Sequence, residues 1–171
     1  MKIFRKRYEF DYMAFLEGKI ADNKGRKITD ILAYGNIKLE MKHDYIQKVF
    51  PTAEASEYDN IMPMNEQDIE NIRNSEIARE NITKMYNKML KFYKLDDYRY
   101  KDWDIFRHWN TTGNHNHKRL TRMLKCFRLL GYDDLYKDLS MRIKYILTVY
   151  RSGSPKIHIS DDTMDYWSLY V

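Results

Sequence analysis

Leu120, Met123, Leu124, Phe127 and Leu130 recur at steps of three and four residues, which puts them on one face of a helix. Gly131 follows the last of them as a stop signal, and the polar run Thr111-Thr112-Gly113-Asn114 marks the start. The same reading, taken along the chain, predicts a first helix over residues 4–17. A loop follows at Gly18 to Gly25, then a short helical segment with Ile28, Ile31 and Leu32. A helix capped by Asn36 carries Leu39, His43, Ile46, Val49 and Phe50 on one face and ends at Pro51. Residues 51–64 form the longest irregular stretch. Asn65 and Asp68 have capping-box spacing, and a long helical pattern then runs to about Leu95. That pattern breaks near Asn74-Ser75. Its inward positions are Ile77, Ile82, Met85, Tyr86, Met89 and Tyr93. Residues 98–109 hold Tyr98, Trp103, Phe106 and Trp109 as an aromatic helix or turn. Past Gly131, Asp133 is placed to cap a helix over 134–150 with Leu135, Leu139, Ile143, Ile146, Leu147 and Tyr150 inward. Ser160 or Asp161 starts a terminal helix with Met164, Trp167 and Leu169.

These patterns predict an all-α fold: one compact, bundle-like domain over residues 1–171, with seven or eight helices. The chain has only six glycines and three prolines in 171 residues, which agrees with long helices and short connections. Hydrophobic residues make up 43% and charged residues 32%, enough apolar content to exclude wholesale disorder. No apolar run reaches the length needed to cross a bilayer, and Glu9 and Asp11 interrupt any signal-like segment. The single cysteine, Cys126, sits among apolar helical positions and fits a reducing compartment. The expectation is a soluble intracellular protein, cytoplasmic or nuclear.

The net charge of +5 is mildly basic. Lys118, Arg122 and Lys125 share a second face of the organising helix, with Arg119 and Arg128 beside them. Together they form a candidate basic ridge for phosphates or an acidic partner, with Arg5-Lys6-Arg7 as a second cluster. Tyr98, Tyr100, Trp103 and Trp109 add rings of the kind that stack on bases, which makes nucleic-acid binding the alternative reading. His115 and His117 stand two apart without a metal-ligand motif around them, and the simpler role for His115 or Asn116 is capping. No phosphate loop, nucleophile elbow or dinucleotide fingerprint occurs, so no enzyme, cofactor or metal is expected.

Several segments, in order along the chain, resemble those of the opioid growth factor receptor conserved region. His43-Asp44-Tyr45-Ile46-Gln47-Lys48-Val49-Phe50-Pro51 is similar to its H-x-Y-I-Q-x-x-F-P, with Lys48 where a tryptophan is characteristic. Met89-Leu90-Lys91-Phe92-Tyr93 resembles M-L-x-F-Y-G, with Lys94 in place of the glycine. His115-Asn116 followed by Arg119-Leu120-Thr121-Arg122-Met123-Leu124 resembles H-N-x-x-R-I-T-R-I-L, and Asp165-Tyr166-Trp167 resembles a late D-Y-F. The resemblance implies an all-helical, intracellular, non-enzymatic module that binds a protein or short peptide, in a short form without the family's C-terminal repeat tail. The namesake receptor binds Met-enkephalin. The resemblance further implies a shared polar cluster of His43, Gln47, His115, Asn116, Arg119, Thr121 and Arg122, with Gln47 and Asn116 tying two helices. A ligand with a charged amine, two rings and a thioether needs a carboxylate and an aromatic groove, for which Tyr45, Trp103 and Trp109 are the candidates.

Overall fold

A computed structural model describes residues 6–96, 108–153 and 157–171. Among them are nine helices and no strand. They are α1 (Tyr12–Leu16), α2 (Ile28–Leu32), α3 (Asn36–Met41), α4 (Ile46–Val49), α5 (Glu66–Arg73), α6 (Glu76–Tyr93), α7 (His115–Leu130), α8 (Asp133–Arg151) and α9 (Asp161–Ser168). They fall into two compact units, Met1–Lys88 and Met89–Val171, with the division inside α6.

In the first unit α1 packs on α4 and α5. Phe15, Leu16, Ile28, Ile31, Tyr45, Val49, Phe50, Ile72 and Ile82 are fully or almost fully withdrawn from water. Each such side chain contributes about 1.5–3 kcal/mol by its burial. The predicted helix over residues 4–17 is shorter than its apolar pattern, and positions 4 and 5 lie outside the described residues. Asp11 takes a non-helical conformation and accepts a hydrogen bond from the Ala14 amide, so the helix begins after it. Ahead of it Tyr8 is extended. Its amide donates to the Asn60 carbonyl and its carbonyl accepts from the Met62 amide, forming an isolated parallel bridge with Ile61. That pairing pins the irregular stretch at 51–64, in which Pro51, Thr52, Ile61 and Met64 are buried.

The single helix predicted from Asn36 to Phe50 is two. Gly35, not Asn36, occupies the cap of α3, and Lys42 is extended at φ −88°, ψ 129°, so the chain turns before α4. His43 therefore lies outside both helices and is exposed. The break at Asn74-Ser75 separates α5 from α6 as the pattern predicts. Asn65 and Asp68 form the reciprocal capping box, at 2.8 and 2.9 Å. Ser75 caps the Ala78 amide and donates to Glu17 at 2.6 Å. Ile77, expected inward, is 52% exposed.

In the second unit α7 packs on α8, and α8 on α9. All five apolar residues that define the organising helix are buried. Gly131 has φ 68°, and the amides of Gly131 and Tyr132 donate to the carbonyls of Arg128 and Phe127. This left-handed stop favours glycine because a side chain there crowds the backbone. Tyr132, not Asp133, precedes the first turn of α8, and Asp133 with Asp134 supplies negative charge within that turn. Ser160 caps α9 through the Thr163 amide. No helix among the described residues is long and apolar enough to cross a membrane.

Candidate functional site

Two polar clusters stand out, one in each unit. The first unit holds a nearly dry ionic network. Asp22 accepts from the backbone amides of Lys24 and Arg26 at 2.9 and 3.0 Å, and from Arg26 Nε at 2.9 Å. The same guanidinium grips Asp44 through both terminal nitrogens at 3.1 and 3.2 Å, and Lys24 closes on Asp44 from the solvent side. The Lys48 side chain is wholly buried. Its ammonium pairs with Asp59, lies 3.5 Å from Asp22 and donates to the Asp44 carbonyl at 3.1 Å. Tyr8 donates to Asp59 at 3.4 Å. Three carboxylates and three cations thus share one small region and balance in charge.

Burial pushes the Asp44 carboxyl up, but hydrogen bonds from Lys24 and Arg26 outweigh it and hold the group at about 2. At Asp22 burial also acts upward, and the bonds from Arg26 and Lys24 leave it below the usual carboxylate range. Burial and the Asp59 charge push the Tyr8 phenol up to about 12. A network this paired holds three loops and a short helix in place.

The second cluster forms where α7 begins. Asn114, not Asn116 or His115, caps the helix: its side-chain oxygen accepts from the Asn116 amide at 2.9 Å. Its amide nitrogen donates to the His108 carbonyl at 2.9 Å and to Thr111 at 3.1 Å, which folds the preceding loop. Asn116 lies inside the helix, fully buried, and its oxygen accepts from Tyr93 at 3.3 Å and from Arg119 at 3.1 Å. His117 is paired through Nε2 with the Trp109 carbonyl at 2.8 Å. Only a protonated Nε2 can bond a carbonyl. Burial lowers the His117 pKa more than that bond raises it, which favours the neutral ring. Thr121 donates to the His117 carbonyl and accepts from Trp167 Nε1, both at 3.0 Å, and Trp109 Nε1 donates to the Tyr93 carbonyl at 3.0 Å. The knot therefore joins the end of α6, the Trp109 turn, α7 and α9.

The seven polar positions singled out in sequence divide between the units. His43 and Gln47 are in the first, where Gln47 donates to the His43 carbonyl at 3.0 Å. Asn116, Arg119 and Thr121 are inside the knot, while His115 and Arg122 are half-exposed. Of the aromatic candidates, Tyr45 and Trp109 are 0% and 1% exposed, filling the interiors of their own units. Trp103 lies outside the described residues, as do Arg5, Tyr98, Tyr100 and Phe106. The basic ridge loses Arg119, which is buried because Asn116 accepts from it. Lys118 and Arg128 are exposed, Arg122 and Lys125 half-buried, and the Lys125 ammonium sits 5.9 Å from the centre of the Tyr166 ring. Among the described residues no group of three or more His, Cys, Asp and Glu side chains converges as a metal site. Cys126 is fully buried, which pushes its thiol up to about 12.

Sequence reasoning missed the ionic network. Asp22, Asp44 and Lys48 were visible only as parts of separate segments, and Asp59 carried no signal at all. Lys48 offered one clue: a lysine amid Tyr45, Ile46, Val49 and Phe50 needs a partner when it is buried.

The family model of the opioid growth factor receptor conserved region matches residues 29–171. The chain is 33% identical over 118 residues to opioid growth factor receptor-like protein 1 of Mus musculus, covering 64% of this chain and 25% of that protein. It is 31% identical over 143 residues to the opioid growth factor receptor of Mus musculus, covering 78% of this chain and 22% of the relative. The receptor of Rattus norvegicus matches over the same length at the same identity. The chain thus spans about a quarter of the length of the curated relatives it matches. No solved structure matches it. On its helical fold and on a match that takes in the Asn116 knot, the chain belongs to the opioid growth factor receptor conserved-region family.

Proposed function

We propose that this chain is a non-enzymatic, intracellular helical module that binds a protein or short peptide. The observation that carries this reading is its membership of a family whose curated members are named as receptors. Gln47, Asn116, Arg119 and Thr121 are buried and spent on architecture, which leaves recognition to the solvent-facing groups. In the first unit His43 is exposed and stacks on Tyr58 with ring centres 6.0 Å apart, and Tyr58 is 54% exposed. This pair, rather than the buried Tyr45, offers an accessible aromatic face for a peptide carrying a ring or an amine.

Titration of isotopically labelled protein with Met-enkephalin, read by NMR, tests the reading. Saturable shifts at His43 and Tyr58 are expected, and loss of those shifts in Tyr58→Ala. A spectrum unchanged at millimolar peptide removes opioid-type recognition from this chain. Nucleic acid is the competing outcome. Binding to duplex or single-stranded DNA that weakens by orders of magnitude between about 50 and 200 mM salt would replace the peptide reading with a phosphate surface on Lys118 and Arg128.

A further inference from the structure

Gln47 is 2% exposed, and only half of its amide is satisfied. Its nitrogen donates to the His43 carbonyl at 3.0 Å, whereas its oxygen accepts from no group among the described residues. Turning the amide over would set two acceptors against each other at His43, so its orientation is fixed. The buried donor next to it in the chain, Lys48, is spent on Asp59 and on the Asp44 carbonyl. A buried acceptor is costly to leave without a hydrogen bond.

The solvent side of the same turn carries the stacked rings of His43 and Tyr58, 27° apart in plane. Because Gln47 holds the His43 carbonyl, its spare oxygen lies within about 5.5 Å of that backbone atom. His43 is exposed and stands outside α3 and α4, so its side chain can swing without breaking either helix. The surroundings do not select a charge. Glu57 is exposed beside Tyr58, Lys42 is exposed beside His43, and Asp59 is paired with Lys48. The place is distinguished instead by a ring face at the surface and one buried acceptor behind it.

We infer that this site takes an aromatic side chain with a hydrogen-bond donor at its edge, the phenol of tyrosine or the indole of tryptophan, from a bound peptide. The ligand ring lies on Tyr58, and its O–H or N–H reaches Gln47 Oε1 as the His43 side chain moves aside. Phenylalanine fills the same space but leaves the acceptor bare, so it binds more weakly. The inference rests on the peptide reading and adds which residue of the peptide is selected.

Two probes that differ by one hydroxyl, N-acetyltyrosinamide and N-acetylphenylalaninamide, test it by NMR titration of the isotopically labelled full chain. Shifts are expected at Tyr58 and at the Gln47 side-chain amide, with the tyrosine probe bound at least tenfold tighter. Gln47→Leu should remove the difference by weakening the tyrosine probe. A circular dichroism melt establishes that this variant is folded. Should it fail to fold, intermolecular Overhauser contacts between the tyrosine probe and the Gln47 amide protons of the wild type are the expected result, and their absence overturns the inference. Equal binding of the two probes overturns it as well. So does a lack of shifts from either probe, or a difference that survives Gln47→Leu. The peptide reading fails separately, since saturable Met-enkephalin shifts at His43 and Tyr58 would leave it standing beside equal binding of the probes.

Discussion

Replacing Lys48 by methionine removes one charge from the ionic network and almost nothing from its volume. The ammonium has no contact with water, so its loss is felt entirely by its partners. Asp22 keeps Arg26 and two backbone amides and remains well satisfied. Asp59, whose side chain is 6% exposed, keeps a phenol at 3.4 Å. At the 3.5 Å separation of Lys48 and Asp22 the Coulomb energy is about 5 kcal/mol with an effective dielectric constant of about 20. The desolvation of both ions offsets much of that in the intact network, but not once one ion has lost its partner. Breaking a buried pair from one side typically costs about 3–5 kcal/mol. In a chain of this length that lowers the melting temperature by roughly 10 °C. The assay is urea unfolding followed by circular dichroism on Lys48→Met, Asp59→Asn and the double variant. The double variant should be more stable than the sum of the two single losses implies, by at least about 1.5 kcal/mol. A single-variant loss below about 1 kcal/mol, with additive behaviour in the double, would refute the claim that this lysine is held by its carboxylates.

Acid should loosen the same region. The folded Asp44 value of about 2 lies below its ordinary 3.8, so its contribution is complete above pH 4 and is lost as pH falls toward 2. For this mostly buried side chain that amounts to about 2 kcal/mol, and Asp44→Asn should flatten the acid limb of a stability-against-pH curve. Asn116→Ala leaves the Tyr93 hydroxyl and the Arg119 guanidinium without their shared acceptor, and should cost about 2–3 kcal/mol in denaturant melts. An unchanged melt would make the knot a ligand site rather than a structural one. Lys94 has φ 58° in the left-handed stop of α6, and Lys94→Gly should raise stability by about 1 kcal/mol, measured in the same way.

The last of these concerns the position where the segment that Met89 to Tyr93 resembles, M-L-x-F-Y-G, has a glycine. A glycine is expected where Lys94 stands, and the backbone still closes as if one were present. The Leu95 amide donates to the Leu90 carbonyl at 2.8 Å, and the Lys94 amide to that of Lys91 at 3.1 Å. Features set within one turn were legible in this way: the Asn65/Asp68 box, the break at Asn74-Ser75 and the whole of α7 from Asn114 to Gly131. Features set by distant partners were not. The apolar spacing of Leu39, Ile46, Val49 and Phe50 continues across the turn between α3 and α4. The chain bends there, and Asp44 beside the bend is claimed by Arg26, 18 residues earlier. Tyr8 leaves its helical pattern for Asn60 and Met62 for the same reason. Arg119 was read with the ridge by its charge, whereas the acceptor three residues earlier decides where it points. Of the candidate sites, the knot was legible only through Asn116, Arg119 and Thr121, since His43 and Gln47 belong to the first unit and Tyr93, Trp109, His117 and Trp167 were not grouped with them in the sequence. The ionic network has no local period to find, since its members come from four separate segments.

The burial of Cys126 makes the chain its own clock. Its sulfur has no access to water and its thiol is held in the unreactive protonated form, so a thiol reagent cannot reach it while α7 stays in place. Labelling proceeds only through openings that lift this helix from its neighbours, and its rate then reports how often they occur. Because the sequence contains one cysteine, mass spectrometry after timed labelling needs no mutation to follow that opening alone. The same experiment, repeated with a bound partner, would show whether binding slows the release of α7.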